Sequence, residues 1–382
     1  MQTSRVIAVG LAIFTMLFGA GNVVFPLSLG RDMGSQVIFA LAGLILTGVL
    51  VPVLGLISAS LFDGNYKKFL GMAGGIPGAL LALVCMLLIG PFGATPRCIT
   101  LAHAAVAWHI PGVSLFVFSL IVAVLVFLAT IKRSAIVDLF GRYLGPIKIT
   151  LLLSIVIVGL FSSAKAPLSD IPALAGFLKG FNEGYLTLDL IATIFFSGLI
   201  ISSIKARNGG TMTSHQVMMF ALKAGLIGGT LLGLVYSGFC ILAAKYGVFV
   251  AGVEKEQLLS ALASLVLGER ATMLANATMA VACLTTAIAL TAVFADYLAH
   301  QLFFGRIKYA YALLLTVTAN FIMTNLGFAG LARVIEPMAV LCYPALIVLS
   351  LANIAHVLAD FKYVKHLVLA TFAMTVLLKF LM

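Results

Sequence analysis

The stretch Phe18-Gly19-Ala20-Gly21-Asn22-Val23-Val24-Phe25-Pro26 interrupts the first hydrophobic segment of the chain, Val6 to Gly30. About 20 apolar residues in a helix span the hydrocarbon core of a bilayer. Two glycines and an asparagine sit near the midpoint of this segment, where a plain anchor helix carries Leu, Ile or Val. Backbone that leaves the helix at that depth is tolerated only where it is buried in protein or lines a water-filled cavity. Freed carbonyls and half-helix ends at the midplane are how secondary transporters hold a substrate and its coupling ion. The break therefore points to a transporter. The competing reading is close helix packing through small residues.

Composition places the whole chain in the membrane. Of 382 residues, 63% are hydrophobic and 9% charged, with a mean hydropathy of +1.20. A soluble domain is nearer about half apolar and about a quarter charged. The net charge of +11 is not a nucleic-acid footprint, because most Lys and Arg fall in short connections between apolar segments, where they set topology. The first apolar run exceeds the h-region of a signal peptide, so no cleaved leader is expected. Cys85, Cys98, Cys240, Cys283 and Cys342 lie in or beside apolar segments without CxxC or His-Cys spacing. They predict small core residues rather than disulfides or a metal site.

Hydropathy predicts eleven helices, at roughly 6–30, 36–61, 76–102, 113–131, 137–162, 186–204, 215–245, 271–298, 308–328, 332–353 and 365–382. With the N-terminus inside, cytoplasmic segments hold Arg5, Lys67, Lys68, Lys132, Arg133, Arg142, Lys205, Arg207, Arg306, Lys308, Lys362 and Lys365. The short outside connections hold Arg31, Arg97 and Arg333. The N-terminus is therefore expected in the cytoplasm.

Five spans (1–162) precede an expected extracellular loop at 163–185. Five follow at 186–353, and residues 354–382 form an accessory eleventh helix. An odd number of spans per half inverts the second half relative to the first. Within Leu190 to Ile204, Ser197-Gly198 sits where the first half is broken. Interrupted segments at matching positions of two halves point to a transporter binding site. In the loop 247–270, Glu254 to Gly268 reads as an amphipathic helix closed by glycine, either a lid or an ordinary structured loop.

Several polar groups lie at membrane depth, where they default to functional candidates. Thr285-Thr286, mid-helix, offers two hydroxyls to a hard monovalent cation, or else back-bonds to the preceding turn. Lys148 follows Gly145-Pro146 and either snorkels or faces the bundle, where burial eases proton exchange. Arg97 ends the Gly- and Pro-rich run Gly90 to Arg97 and is a candidate gate, paired with Asp189 or Glu336. No Ser-His-Asp order, HExxH, Walker loop or paired catalytic carboxylates occur, so the chain is not expected to be an enzyme.

At these motifs the chain resembles the branched-chain amino acid:cation symporter family, the bacterial LIV-II carriers. The matching stretches are Phe18 to Pro26, Gly90 to Arg97, Leu144 to Ile149, Gly184 to Asp189, Leu284 to Ala287 and Leu341 to Pro344. They run in order over nearly the whole chain. Members usually have twelve spans, one more than this chain predicts. The resemblance implies an all-α LeuT-type fold of two inverted five-helix repeats with broken helices 1 and 6. It also implies sodium-coupled uptake of leucine, isoleucine and valine across the inner or plasma membrane. The substrate carboxylate would meet the helix 1 break at Gly19, Ala20, Gly21 and Asn22. Phe196, Ser197 and Gly198 would close the site from helix 6, and Leu88, Phe195 and Phe196 would hold the aliphatic side chain. Carbonyls of Thr15, Phe18 and Ala282 with Thr285 and Thr286 would cage sodium. The α-ammonium would fall to broken-helix carbonyls, since no acidic side chain is expected there. In some proton-coupled relatives with this fold a helix 5 lysine replaces the ion, which makes Lys148 a candidate for proton coupling. The alternatives are a proton-coupled carrier of apolar amino acids and a receptor or channel that moves nothing. Neither cofactor nor nucleic acid enters either reading; the expected partners are substrate, sodium and membrane lipids.

Overall fold

A computed structural model describes residues 2–131, 150, 152–161, 164–207 and 213–381. Among them there is no strand, and six helical stretches are long and apolar enough to cross a bilayer. The first span is two half-helices, α1 (Gln2–Leu17) and α2 (Gly21–Met33), separated by Phe18, Gly19 and Ala20. The second is α3 (Val37–Ile45) and α4 (Val51–Ser60), continuous through a π-turn at Leu46–Leu50. A short α5 (Tyr66–Gly71) leads to α6 (Gly75–Ile89) and α7 (Ala94–Ala107). The break between α6 and α7 lies at the Gly90-Pro91-Phe92-Gly93 turn, where Pro91 has no N–H to give and Gly93 packs against the Leu88 carbonyl. Then come α8 (Leu115–Ile131), α9 (152–160), α10 (Ala173–Leu186), α11 (Asp189–Arg207) and α12 (Ser214–Lys245). The chain closes with α13 (Leu258–Leu267), α14 (Glu269–Tyr297), α15 (Tyr309–Thr324), α16 (Gly327–Ala359) and α17 (Val364–Leu381).

The packing sorts these helices into two groups. In one, α1 and α2 lie on α12, α3 lies on α10, and α4 lies on α11 and α12. In the other, α14 packs on α7, α8 and α15, and α15 on α8 and α7. α16 touches both groups, through α4 and α10 on one side and α6 and α7 on the other. The amphipathic stretch expected before Gly268 is α13, which buries Leu258, Leu259, Leu262 and Ala263.

The largest departure from the hydropathy reading is helix 6. Residues 173–185, expected within an extracellular loop, form α10 together with Leu186, and the break falls at Thr187-Leu188 instead of Ser197-Gly198. Leu188 takes a left-handed conformation with φ 64°, unusual for a branched residue and worth roughly 1–3 kcal/mol of strain. α11 runs unbroken through Ser197 and Gly198. Gly176, Gly180 and Gly184 repeat every four residues along α10, the small-xxx-small spacing of close helix crossings. A side chain at Gly180 would run into the Ala40 backbone, and one at Gly43 into Phe177 and Phe181 of α10. Thr47 adds a hydroxyl bond to the Phe181 carbonyl at 2.8 Å. Glycine, Lys179, Asn182 and Glu183 lower the hydropathy of this stretch, which is why it reads as loop. The polar side chains turn to protein partners, Lys179 to Asp32 at 3.2 Å and Glu183 to Lys255 at 3.7 Å.

Gly180→Ala should therefore separate α3 from α10, and overpacking of this kind typically costs about 1–3 kcal/mol. Thermal unfolding of the purified protein in detergent should shift down relative to wild type. An unchanged melting temperature would mean that the crossing is not backbone-to-backbone.

Candidate functional site

The two helix breaks abut in the buried interior. A Cβ added at Gly21 would lie 3.3 Å from the Thr187 Cα and 3.4 Å from the Leu186 carbonyl oxygen. Asn22 joins the breaks. Its Oδ1 accepts the Gly19 N–H at 2.8 Å, which fixes the orientation of the amide and points Nδ2 away from the break. Nδ2 then donates to both carboxylate oxygens of Asp189, each at 2.8 Å, and to the Tyr236 hydroxyl. Tyr236 in turn donates to Asp189 Oδ2 at 2.7 Å. All three side chains are buried. Together they tie the start of α2, the start of α11 and the middle of α12 into one polar knot. α2 begins at Gly21, and its N-cap Ala20 carries only a methyl that cannot cap it, so its first amides are left for another acceptor.

Arg97 of α7 reaches the same place from the other group of helices. Its Nη1 donates to the Leu186 carbonyl, the last of α10, at 2.7 Å. Its guanidinium sits 5.3 Å from the centroid of the Phe25 ring, a cation–π distance. The expected pairing with Asp189 or Glu336 is not formed. Glu336 is exposed, and Asp189 is engaged by Asn22 and Tyr236. Arg97 is thus a buried contact at the helix 6 break rather than a charge at the outer mouth.

The other expected residues divide between two places. Phe195 stacks on Tyr66 with ring centroids 4.7 Å apart. Both line a cavity of about 400 Å³ with Met86, Ile288, Asp296 and Tyr297. Phe196 points elsewhere and packs with the Val6, Val9, Ile13 and Leu17 cluster. Leu88 is wholly buried and is absent from the cavity wall. Ser197 donates to the Ile194 carbonyl at 2.6 Å and the Gly64 carbonyl at 3.3 Å. Gly198 lets the Gly64 turn close on α11. The Ser-Gly pair serves packing against the connection between α4 and α5, and its small size has no need of a helix break.

Of the expected ion ligands, Thr285 and Thr286 both donate to the Ala282 carbonyl, at 2.8 and 3.0 Å. This is the back-bonding alternative, yet each hydroxyl keeps its acceptor lone pairs. Thr15 is exposed and donates to the Leu11 carbonyl at 2.9 Å. α1 packs on α12 and α11, whereas α14 packs on α7, α8, α13 and α15. Lys148 and the stretch Leu144 to Ile149 lie outside the described residues. Sequence reasoning missed Tyr236 altogether and left Asp189 near a helix end. The signal for Asp189 was its place directly after Gly184 to Leu188, once that run is read as the end of a half-helix.

An all-α chain with two abutting half-helix breaks is a polytopic membrane protein of the LeuT type, and solved structures bear this out. The chain superimposes on the inward-facing conformation of Mhp1 with a TM-score of 0.68 at 12% identity, over 91% of this chain and 76% of that one. It matches the Eremococcus coleocola manganese transporter, in complex with an aromatic bis-isothiourea substituted compound, with a TM-score of 0.62 at 14% identity. That match covers 98% of this chain and 86% of the other. These likenesses show the fold. The family follows from sequence: residues 2–382 match the model of the branched-chain amino acid transport proteins, and the chain belongs to that family. It is 30% identical to the branched-chain amino acid permease BrnQ of Bacillus subtilis, over 93% of this chain and 82% of the relative. It is 32% identical to the branched-chain amino acid transport system 3 carrier protein of Pseudomonas aeruginosa, over 90% and 79%. The family is one of transport proteins, so the chain is not an enzyme.

Asn22→Ala removes a side chain that holds both breaks. Loss of bonds to a buried carboxylate costs roughly 1–3 kcal/mol, so the melting temperature should fall. Substrate uptake should fall much further, because the helix 1 break loses its geometry. Uptake at the wild-type rate from a correctly inserted Asn22→Ala protein would remove Asn22 from the site.

Proposed function

We propose that this chain is a secondary active transporter that carries leucine, isoleucine and valine into the cell with sodium by alternating access. The observation that carries the reading is the abutment of the two helix breaks through Asn22 and Asp189 in a member of a branched-chain amino acid transport family. The curated relatives are named for the transport of branched-chain amino acids, and their lengths are covered to about four-fifths. A helix N-terminus presents N–H groups and a positive dipole end. The uncapped start of α2, at Ala20, Gly21 and Asn22, is therefore suited to an amino acid carboxylate. Gly19 and Gly21 keep the backbone approachable there, since even a Cβ at Gly21 would crowd Phe25 and Thr187.

The cavity beside Phe195 suits passage of an aliphatic side chain, its wall being mostly Met86, Ile288, Val293 and aromatic rings. It adjoins Asp296 and Tyr66, on the face that the charge distribution assigns to the cytoplasm. Sodium is favoured over a proton because the Thr285 and Thr286 hydroxyls retain oxygen lone pairs beside the Ala282 carbonyl. Hard oxygen ligands of that kind suit sodium. On this reading the cage closes only when α1 and α14 approach each other during the cycle. The membrane is the cell's inner or plasma membrane, with the N-terminus inside.

Proteoliposomes holding the purified protein should accumulate labelled leucine when a sodium gradient is imposed at constant pH. They should stay near background with a proton gradient in sodium-free medium. Accumulation driven by protons alone would replace sodium by proton coupling. Absence of leucine counterflow would leave a binding protein that moves nothing. Thr285→Val and Thr286→Val each remove a hydroxyl at nearly constant volume. Each should raise the sodium concentration for half-maximal uptake, with a smaller change in leucine affinity at saturating sodium.

A further inference from the structure

Arg97 brings five N–H donors into the interior, 2% exposed, and uses one of them, Nη1, on the Leu186 carbonyl. Its Nε is buried without an acceptor, and so is the hydroxyl of Tyr343, which stacks on Tyr185 at 4.7 Å just before the helix 6 break. Buried donors are almost always satisfied, and a buried guanidinium without an anion is costly. Two buried carboxylates lie within electrostatic reach of Arg97, Asp189 and Glu183. Glu183 faces Lys255, and the oxygens of Asp189 face Asn22, Tyr236 and Thr187. Among the described residues no ion pair joins Arg97 to Asp189. Arg97, Asp189 and Tyr343 nonetheless lie within electrostatic reach of one another. Where the two breaks meet, Arg97 thus keeps an unsatisfied buried donor, and among the described residues Asp189 has hydrogen-bond partners but no cation paired to it.

We propose that Arg97 and Asp189 are the two poles of a receptor for a zwitterion, resting on the reading of the chain as an amino acid carrier. Arg97 takes the α-carboxylate through its fork of donors, beside the first amides of α2. Asp189, steadied by Tyr236 and Asn22, takes the α-ammonium. Guanidinium and carboxylate match in planar two-bond geometry, and the Phe25 ring supports the guanidinium from behind. A zwitterion between the poles satisfies both charges, whereas a bare carboxylate or a bare ammonium leaves one side chain unpaired. The selectivity for amino acids over fatty acids and amines then comes from charge order, and the apolar walls discriminate only among side chains. Arg97 belongs to the helix group of α7, α8, α14 and α15, and Asp189 to that of α1, α2, α11 and α12. A ligand held by both therefore bridges the two groups that move against each other in alternating access.

The test is equilibrium binding of labelled leucine to the purified full chain, with L-leucinamide and 4-methylpentanoate as competitors. The first lacks the carboxylate and the second the ammonium. In wild type each analogue should bind at least about 100-fold more weakly than leucine, the usual range for deleting a charge-assisted contact at a buried site. Arg97→Gln should weaken leucine to the level of leucinamide while leaving leucinamide little changed. Asp189→Asn should weaken leucine to the level of 4-methylpentanoate and leave that acid little changed. A purely structural role would instead weaken all three ligands alike, and that result overturns the proposal. Should either variant fail to fold, the wild-type series decides: leucinamide or 4-methylpentanoate binding as well as leucine overturns it equally. A wild-type protein that binds a different zwitterionic amino acid with the same dependence on both residues keeps the receptor and refutes the branched-chain reading. One that binds no amino acid refutes both.

Discussion

A single carboxamide holds this architecture together. Asn22 satisfies the backbone that helix 1 loses at Gly19 and, with its other end, grips the carboxylate at the start of α11. Without such a partner two unwound segments at membrane depth would leave backbone and charge unsatisfied in a medium without water. Tyr236 extends the bond to α12, so three helices from both halves of the chain share one set of donors and acceptors. The two breaks are therefore held by each other.

Around that knot the packing is close wherever the helices of the first group meet. Gly180 against Ala40, Gly30 against Cys240 and Gly10 against Ala224 bring backbones together at crossings where no side chain fits. Such crossings act as rigid joints, because a close-packed interface resists continuous deformation. The second group meets the first at the break through Arg97 and at the flank through α16. A close-packed group holding both half-helix ends, met at the break by Arg97 of a second group, is suited to a change of access that leaves the site itself intact.

The Arg31 end of the molecule carries a second set of charges. Arg31 bonds Asp32 at 2.8 Å and the Val253 carbonyl at 2.6 Å, while Lys179 and Lys255 reach Asp32 and Glu183. These contacts fasten the connection before α13 onto α2 and α10. The cavity lined by Phe195 and Tyr66 lies at the far side of the knot: Phe195 is six residues along α11 from Asp189, about 9 Å at the helical rise.

The sequence by itself determined the class of the protein. Apolar spans, the glycine break at Phe18 to Asn22 and the family resemblance were legible, because each is a local pattern with a local physical cause. The turn at Gly90 to Gly93 was read through as one helix over 76–102 because its residues are as apolar as its flanks. Ser197-Gly198 misled because it too is a local pattern. A small polar pair in an apolar run is what a break looks like, and nothing local distinguishes it from a pair kept small for the Gly64 turn. The true break at Thr187-Leu188 follows a half-helix whose glycines and charges hide it from hydropathy, since they are satisfied by α3, Asp32 and Lys255, distant in sequence. Only the tertiary structure could bring Asn22 to Asp189, 167 residues apart, draw in Tyr236, and bury Arg97 beside them. Which polar groups become partners in a membrane interior depends on helix packing, and helix packing is decided by surfaces that meet across the whole chain.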